Sequence, residues 1–355
     1  MKRVFFLILI SIVFVCQAVA SEPIGVVANN NTNSFQMINP LTQEISESQL
    51  KGYLGSYGGG LFDVVFSKDG KTAIISNFGD STLYFVDISG GFSGTPSVLG
   101  SVAVPFFAED MDVTPDGKYV LVTDGGFSPR CAVIDIATRT LAKNNYLGAQ
   151  SAQAVAVTPD GKFVLFADYF GAAIHSFSLN ADGTMAFISS VFTGASRPVN
   201  ISISPDGKTA IAAASNRYDC PVFAIGTDGG LNYKGDCTMT SKGGQSVVFS
   251  KDSKKAYYFS NAVNRSARIH ILDITAPGVA ELEGYVELSI PRGTSQLFGV
   301  DTLAVDPSSN YLYVANPTVS GGVVEVAVID LATKTEVNQL HCNGIPTGIA
   351  FTTIQ

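Results

Sequence analysis

Tryptophan is absent from the 355 residues, histidine occurs three times, and Asp, Glu, Lys and Arg together make up only 15% of the chain. With 46% hydrophobic residues, so little charge excludes a disordered polypeptide. The 22 basic residues against 30 acidic ones give a net charge of −8 and form no basic stripe. Nucleic acid is therefore not an expected partner, because phosphate contacts need clustered Lys and Arg. No Gly-rich phosphate loop, Cys-x-x-Cys-His haem attachment or Gly-x-Ser-x-Gly nucleophile elbow occurs. Helical periodicity is also missing, which excludes a helical solenoid. What the chain does contain is 35 Gly and 15 Pro among many β-branched and aromatic residues, the composition of many short strands and many turns.

Residues 1–20 read as a secretory signal. Lys2 and Arg3 precede the apolar run Val4–Val15, and Ala18-Val19-Ala20 is a small-x-small cleavage site, so the mature chain is expected to span 21–355 as a single domain. The apolar run is twelve residues, short of the roughly 20 needed to span a bilayer. Cys16 follows the bulky Val15, which disfavours lipidation. No later segment is long and apolar enough to span, so the expected location is secreted or periplasmic, with no transmembrane segment after cleavage. Losing Lys2 and Arg3 takes the net charge to −10.

Export places Cys131, Cys220, Cys237 and Cys342 in an oxidising compartment, and their spacing fits no zinc pattern. Cys220 and Cys237 lie symmetrically about the turn Thr227-Asp228-Gly229-Gly230. In a symmetric hairpin they oppose one another with Cα atoms about 4.5–5.5 Å apart, within disulfide range. A Cys220–Cys237 disulfide is the expectation; Cys131 and Cys342 are expected to be unpaired.

The dominant signal is repetition. Phe66-Ser67-Lys68-Asp69-Gly70, Val113-Thr114-Pro115-Asp116-Gly117, Val157-Thr158-Pro159-Asp160-Gly161 and Ile203-Ser204-Pro205-Asp206-Gly207 recur, with weaker copies at 249–253 and 305–309. Their spacings are 47, 44, 46, 46 and 56 residues. Each unit reads as an apolar strand, a Pro-Asp-Gly turn and three further strands, which is a β-propeller blade. The N-terminus lacks a first strand, beginning at Gly25–Ala28, and the C-terminus supplies one at 347–352. Joined, they complete a seventh blade, so the fold is expected to be an all-β, seven-bladed propeller closed by its C-terminal strand. Sharing a blade removes the open sheet edge.

The stretches Tyr119–Asp124, Phe163–Asp168 and Tyr311–Asn316 follow these turns and end in a small residue and Asp or Asn. With them the chain resembles the YVTN-type repeat proteins of the lactonase-like seven-bladed β-propeller superfamily. The resemblance implies one of two functions: a binding or interaction scaffold, or a hydrolase acting at the channel mouth. The hydrolases resemble one another in a Pro-Arg-His leading into an inner strand and an Asn-Glu after the next. Here the match is Arg197-Pro198-Val199-Asn200, with Asn200 at the His position, and Ala213-Ala214-Ser215-Asn216, with no Glu. His175 and His270 fall within third strands, and His341 near the end of a fourth, so no histidine is expected at the mouth.

Aligned on the repeat, the starts of the inner strands gather Asp63, Asp110, Ala154, Asn200, Ser246, Thr302 and Gly348 at one height. One residue earlier come Glu109, Gln153, Gln245, Asp301 and Thr347, and the ends of second strands add Asn77, Asp124, Asp168 and Asn316. Strand-end Asp and Asn ordinarily cap turns. The sharper reading makes Asp63, Asp110, Asp112, Arg197, Asn200 and Asp301 a ligand site, with Ca²⁺ as the one cofactor to consider, since Ca²⁺ takes six to eight oxygens. The long interval places about ten extra residues near 275–300, including Pro291–Phe298. The combined expectation is a monomeric, exported, non-catalytic propeller that binds an unidentified protein or small molecule in the cell envelope. No catalytic residue is assigned; the alternative is a lactonase-like hydrolase.

Overall fold

In the computed structural model, 28 strands form seven antiparallel four-stranded sheets. It describes residues 21–55, 60–126, 128–194, 197–261, 267–289, 301–316 and 325–355. Blade 1 is the composite one: the inner strand Pro346–Ile354 pairs with Glu22–Asn29, followed by Ser34–Asn39 and Glu44–Ile45. Eight positions are matched across that closing pair, among them Val26 with Ala350 and Ile24 with Thr352. The inner strands of blades 2 to 7 are Leu61–Phe66, Ala108–Val113, Ala154–Val157, Pro198–Ile203, Gly244–Phe249 and Leu303–Val305. Each touches the next, and the last touches Pro346–Ile354, so the ring closes.

The repeated turn explains why every blade starts alike. The hydroxyl of Ser67, Thr114, Thr158, Ser204 or Ser250 donates to the Asp two residues on, at 2.6–2.7 Å. The Asp then accepts the backbone N–H of the residue that follows the turn, for example Lys118 at 2.9 Å. Gly70, Gly117, Gly161 and Gly207 have φ of 71–76°, a left-handed conformation that costs Gly nothing. In the two weaker copies Ser253 and Ser309 occupy that place at φ 62°. In blade 7 the roles are exchanged: Asp306 accepts from Ser308, and the turn survives.

The cores lie between adjacent blades. Ile74 and Phe85 of blade 2 pack with Val120 and Val122 of blade 3, and Val27 and Ile38 of blade 1 with Tyr313 and Val328 of blade 7. Alternating apolar residues serve both faces of each sheet, since a blade has a neighbour on either side. Among the described residues no helix is long and apolar enough to cross a membrane. Part of the stretch expected to be a loop insertion is instead strand: Val279–Glu287 is the nine-residue outer strand of blade 6, with Glu281, Glu283 and Glu287 facing outward and Leu282 and Val286 inward. Residues 290–300 of that stretch, with Pro291–Phe298, lie outside the described residues, as do 1–20.

Candidate functional site at the channel mouth

The inner strands of five blades begin with a break in register: between Leu61 and Val64, Ala108 and Met111, Pro198 and Asn200, Gly244 and Ser246, and Pro346 and Gly348. An extra residue in one strand turns the side chains beside it. Blade 7 has no such break in its paired residues, which start at Leu303. Asp301 nevertheless lies beside Asp63 and Asp110, although repeat alignment puts it one residue earlier.

The free edge of each inner strand presents N–H groups that need acceptors. Side chains of the preceding blade supply them. Asp63 Oδ2 accepts from Met111 N at 2.9 Å, Asp110 Oδ2 from Val155 N at 2.7 Å, Asp112 Oδ2 from Val157 N at 2.7 Å and Asn200 Oδ1 from Val247 N at 3.1 Å. Asn200 Nδ2 donates to Asp301 Oδ1 at 2.9 Å. One carboxylate oxygen from each of Asp63, Asp110 and Asp301 lies within 4.8 Å of the others. Below them a cavity of about 190 Å³ is lined by Asp112, Asp301, Ser202 and apolar residues such as Val157, Val248 and Leu303, and by no Lys or Arg.

The electrostatics follow from that crowding. Burial first, then the charge of Asp301, push the Asp63 carboxyl well up, against its two backbone donors. Asp110 is raised well up by burial, Asp301 and Asp63, in that order. Burial lifts Asp112 to about 7 and Asp301 to about 6, the latter held back by Asn200. Glu109, absent from the expected ligand set, is raised to about 8 by burial despite a 2.6 Å hydrogen bond from Gln153. Its Oε2 is buried without a partner, covered by Gly125 and Phe78.

Arg197 does not join the acids. It is exposed, its guanidinium lies over the Tyr169 ring at 5.3 Å, and Nη1 is 3.4 Å from that hydroxyl. The stack with Tyr169 draws it outward, so the charge relief that its sequence position suggested is not made. Asn216 Oδ1 accepts the Arg197 backbone N–H at 3.1 Å. Three phenylalanines missed by the reading of charges stack at the same end. Phe62 and Phe78 have ring centroids 5.2 Å apart, Phe78 and Phe107 4.8 Å, and Phe107 is 46% exposed.

Asp168 is a turn organiser, accepting from Gln150 N, Ser151 N, Ser151 Oγ and Gly171 N at 2.8–2.9 Å. Burial alone would raise it, but these bonds and His175 hold it at about 2. His175, placed by spacing away from the mouth, brings Nε2 to 3.1 Å from Asp168 Oδ2, because the strand leaving that turn runs straight back beside it. His270 is fully buried, accepts the Thr240 N–H at Nε2 and is pushed down to about 4 by burial and Arg268. His341 is exposed on the outer strand Thr335–His341.

Cys220 and Cys237 are directly opposed, as the symmetric hairpin requires. Both are buried and their sulfurs are not joined here. The hydrogen bond from Met239 N to Tyr218 O, two residues away on each strand, makes the pair a hydrogen-bonded one, the wider of the two antiparallel spacings. Cys131 and Cys342 are free and buried.

A sequence model of the family described as Lactonase, 7-bladed beta-propeller, matches residues 126–249. No curated protein matches the chain. Among solved structures, a functionally unknown protein of Desulfotomaculum acetoxidans superposes with a TM-score of 0.78 at 17% identity, covering 93% of this chain and 98% of the other. The periplasmic gluconolactonase of Pseudomonas aeruginosa gives 0.70 at 14% identity, covering 94% and 100%. A chain of Kuenenia stuttgartiensis hydrazine synthase gives 0.66 at 22% identity, covering 82% and 89%. At these identities the likeness is one of fold.

Proposed function

We propose that this chain, which resembles the lactonase-like seven-bladed β-propeller superfamily, is an exported binding propeller that takes a neutral or cationic ligand at the channel mouth and does no chemistry on it. The observation that carries this reading is Asn200. It stands where the superfamily resemblance implies a histidine, and both atoms of its amide are engaged, Oδ1 with Val247 and Nδ2 with Asp301. An amide does not titrate, so it supplies no general acid or base. Glu109, raised to about 8, is occluded by Gly125 and Phe78. Phe107, 46% exposed and stacked on Phe78, offers an apolar ring face to a ligand. Asp112 and Asp301, lining a cavity without a cation, repel phosphorylated solutes.

A second reading, hydrolysis of a lactone, is favoured by one observation. Asp301 borders the channel cavity with its carboxyl at about 6, near the range of a general base for attacking water. A single assay separates the two. Purified mature protein is offered glucono-1,5-lactone and followed by acid release. Under the binding reading the rate equals the buffer rate and is unchanged in Asp301→Asn. Turnover above buffer that disappears in Asp301→Asn overturns it in favour of the hydrolase. Export is tested by fractionation and N-terminal sequencing, with Ser21 the expected first residue.

A further inference from the structure

We propose that Asp63, Asp110 and Asp301 hold a divalent cation of the Ca²⁺ kind at the top of the channel, pinning blades 2, 3 and 7 together. This does not depend on what the mouth binds. The starting point is that the inter-blade ties do not account for the charges. In blade 5 the same tie, side-chain oxygen to the next blade's N–H, is made by the neutral amide of Asn200. Asn at 110 would tie Val155 equally well, without mutual repulsion. Yet positions 63 and 110 carry carboxylates, and a third is brought within 4.8 Å of them from blade 7.

A second observation is independent of the acids' proximity. Asp110 is 1% exposed, and its Oδ1 has no hydrogen-bond partner. The same holds at the starts of the neighbouring inner strands: Ser246 Oγ, Thr302 Oγ1 and both amide atoms of Gln245 are buried and unpartnered. Buried polar atoms are rarely left so, and an ion or ordered water is the usual reason. Concentrated at the tops of three inner strands, they mark this end of the channel as a place where oxygens await a positive centre. Three carboxylates are a hard, all-oxygen donor set, suited to Ca²⁺ or Mg²⁺ and not to Zn²⁺ or copper.

Dehydration favours the larger ion: Mg²⁺ gives up its waters reluctantly and is seldom held by an all-protein cage, whereas Ca²⁺ takes six to eight oxygens in flexible geometry. Three carboxylates and one divalent ion leave a single negative charge. Asn200 already satisfies one oxygen of Asp301, which fixes that carboxylate without neutralising it.

The test uses the mature protein, stripped with EDTA and titrated with Ca²⁺ or Mg²⁺ by calorimetry and thermal unfolding, alongside metal analysis of untreated protein. Ca²⁺ is expected to raise the unfolding midpoint by several degrees, Mg²⁺ much less. Asp110→Asn keeps the acceptor for Val155 N–H, so it should fold, and should weaken Ca²⁺ binding roughly tenfold or more, the affinity following the number of charged ligands. Asp301→Asn serves as the second variant. No heat and no midpoint shift in the wild type, or an undiminished shift in both variants, overturns the proposal.

Discussion

Asn200 Nδ2 donates to Asp301 Oδ1 at 2.9 Å, joining blade 5 to blade 7 across the channel and bypassing blade 6. Its Oδ1 meanwhile accepts from Val247 N in blade 6, so one amide ties three blades. Asn200→Ala removes both bonds and leaves the Val247 N–H and the Asp301 carboxylate short of partners in a buried setting. The expected loss is about 1–3 kcal/mol in denaturant unfolding, the cost of orphaned buried polar groups. A change below a few tenths would show that water replaces the amide without penalty.

Ring closure depends on Pro346–Ile354 as the inner strand of blade 1. Ile349 of that strand is buried against Val27, Tyr313 and Val328. Deleting residues 345–355 should uncover this core, giving aggregation or a much lower unfolding midpoint. A truncated protein that stays soluble with unchanged melting would contradict the closure.

Ser309 holds φ 62° where the good repeats have Gly. A left-handed conformation costs a non-Gly residue about 1–2 kcal/mol relative to the right-handed one. Ser309→Gly should therefore stabilise, by somewhat less than that because Gly also loses more entropy on folding. Equilibrium unfolding that shows destabilisation would mean the serine makes a contact worth more than the strain.

His270 titrates near 4 in the fold, against about 6.5 for a free imidazole, because burial and then Arg268 disfavour its charged form while the Tyr258 backbone favours it. The unfolded chain thus binds the proton first as pH falls. Stability is full above about 6.5 and is progressively lost between there and 4. Groups facing the ring are Arg268, Tyr258 and Tyr285. His270→Gln should flatten this part of the stability profile measured between pH 7 and 4; an unchanged slope would assign the acid sensitivity to other groups.

Cys220 and Cys237 face one another in adjacent strands of blade 5. In an exported sample they should oxidise during folding, before the thiols are buried. Peptide mapping without reduction should then find them linked, with a stabilisation of about 3 kcal/mol or less, since the hairpin is already ordered. Two free thiols in protein recovered from its native compartment would rule the bond out.

The sequence alone determined the blades. Ser or Thr, Asp and Gly at fixed offsets make a turn by local hydrogen bonds, and a turn every 46 residues or so dictates the strands between. The missing first strand at one end and the orphan at the other likewise required closure, because both are statements about counting. It also pointed to Asp63, Asp110 and Asp301 by repeat position. Tertiary structure decided what those residues do. The folded ring brings Asp301 to the other two although the repeat puts it one residue earlier, and no local pattern announces the bulges at Leu61–Val64 and Ala108–Met111. Arg197 leaves the acids for Tyr169 because a side chain's partner depends on which loop passes nearest, a contact set by the folded ring. The repeat also placed Glu109 at this face, but not its raised carboxyl, which results from burial against Gly125, and burial is a property of the assembled blades.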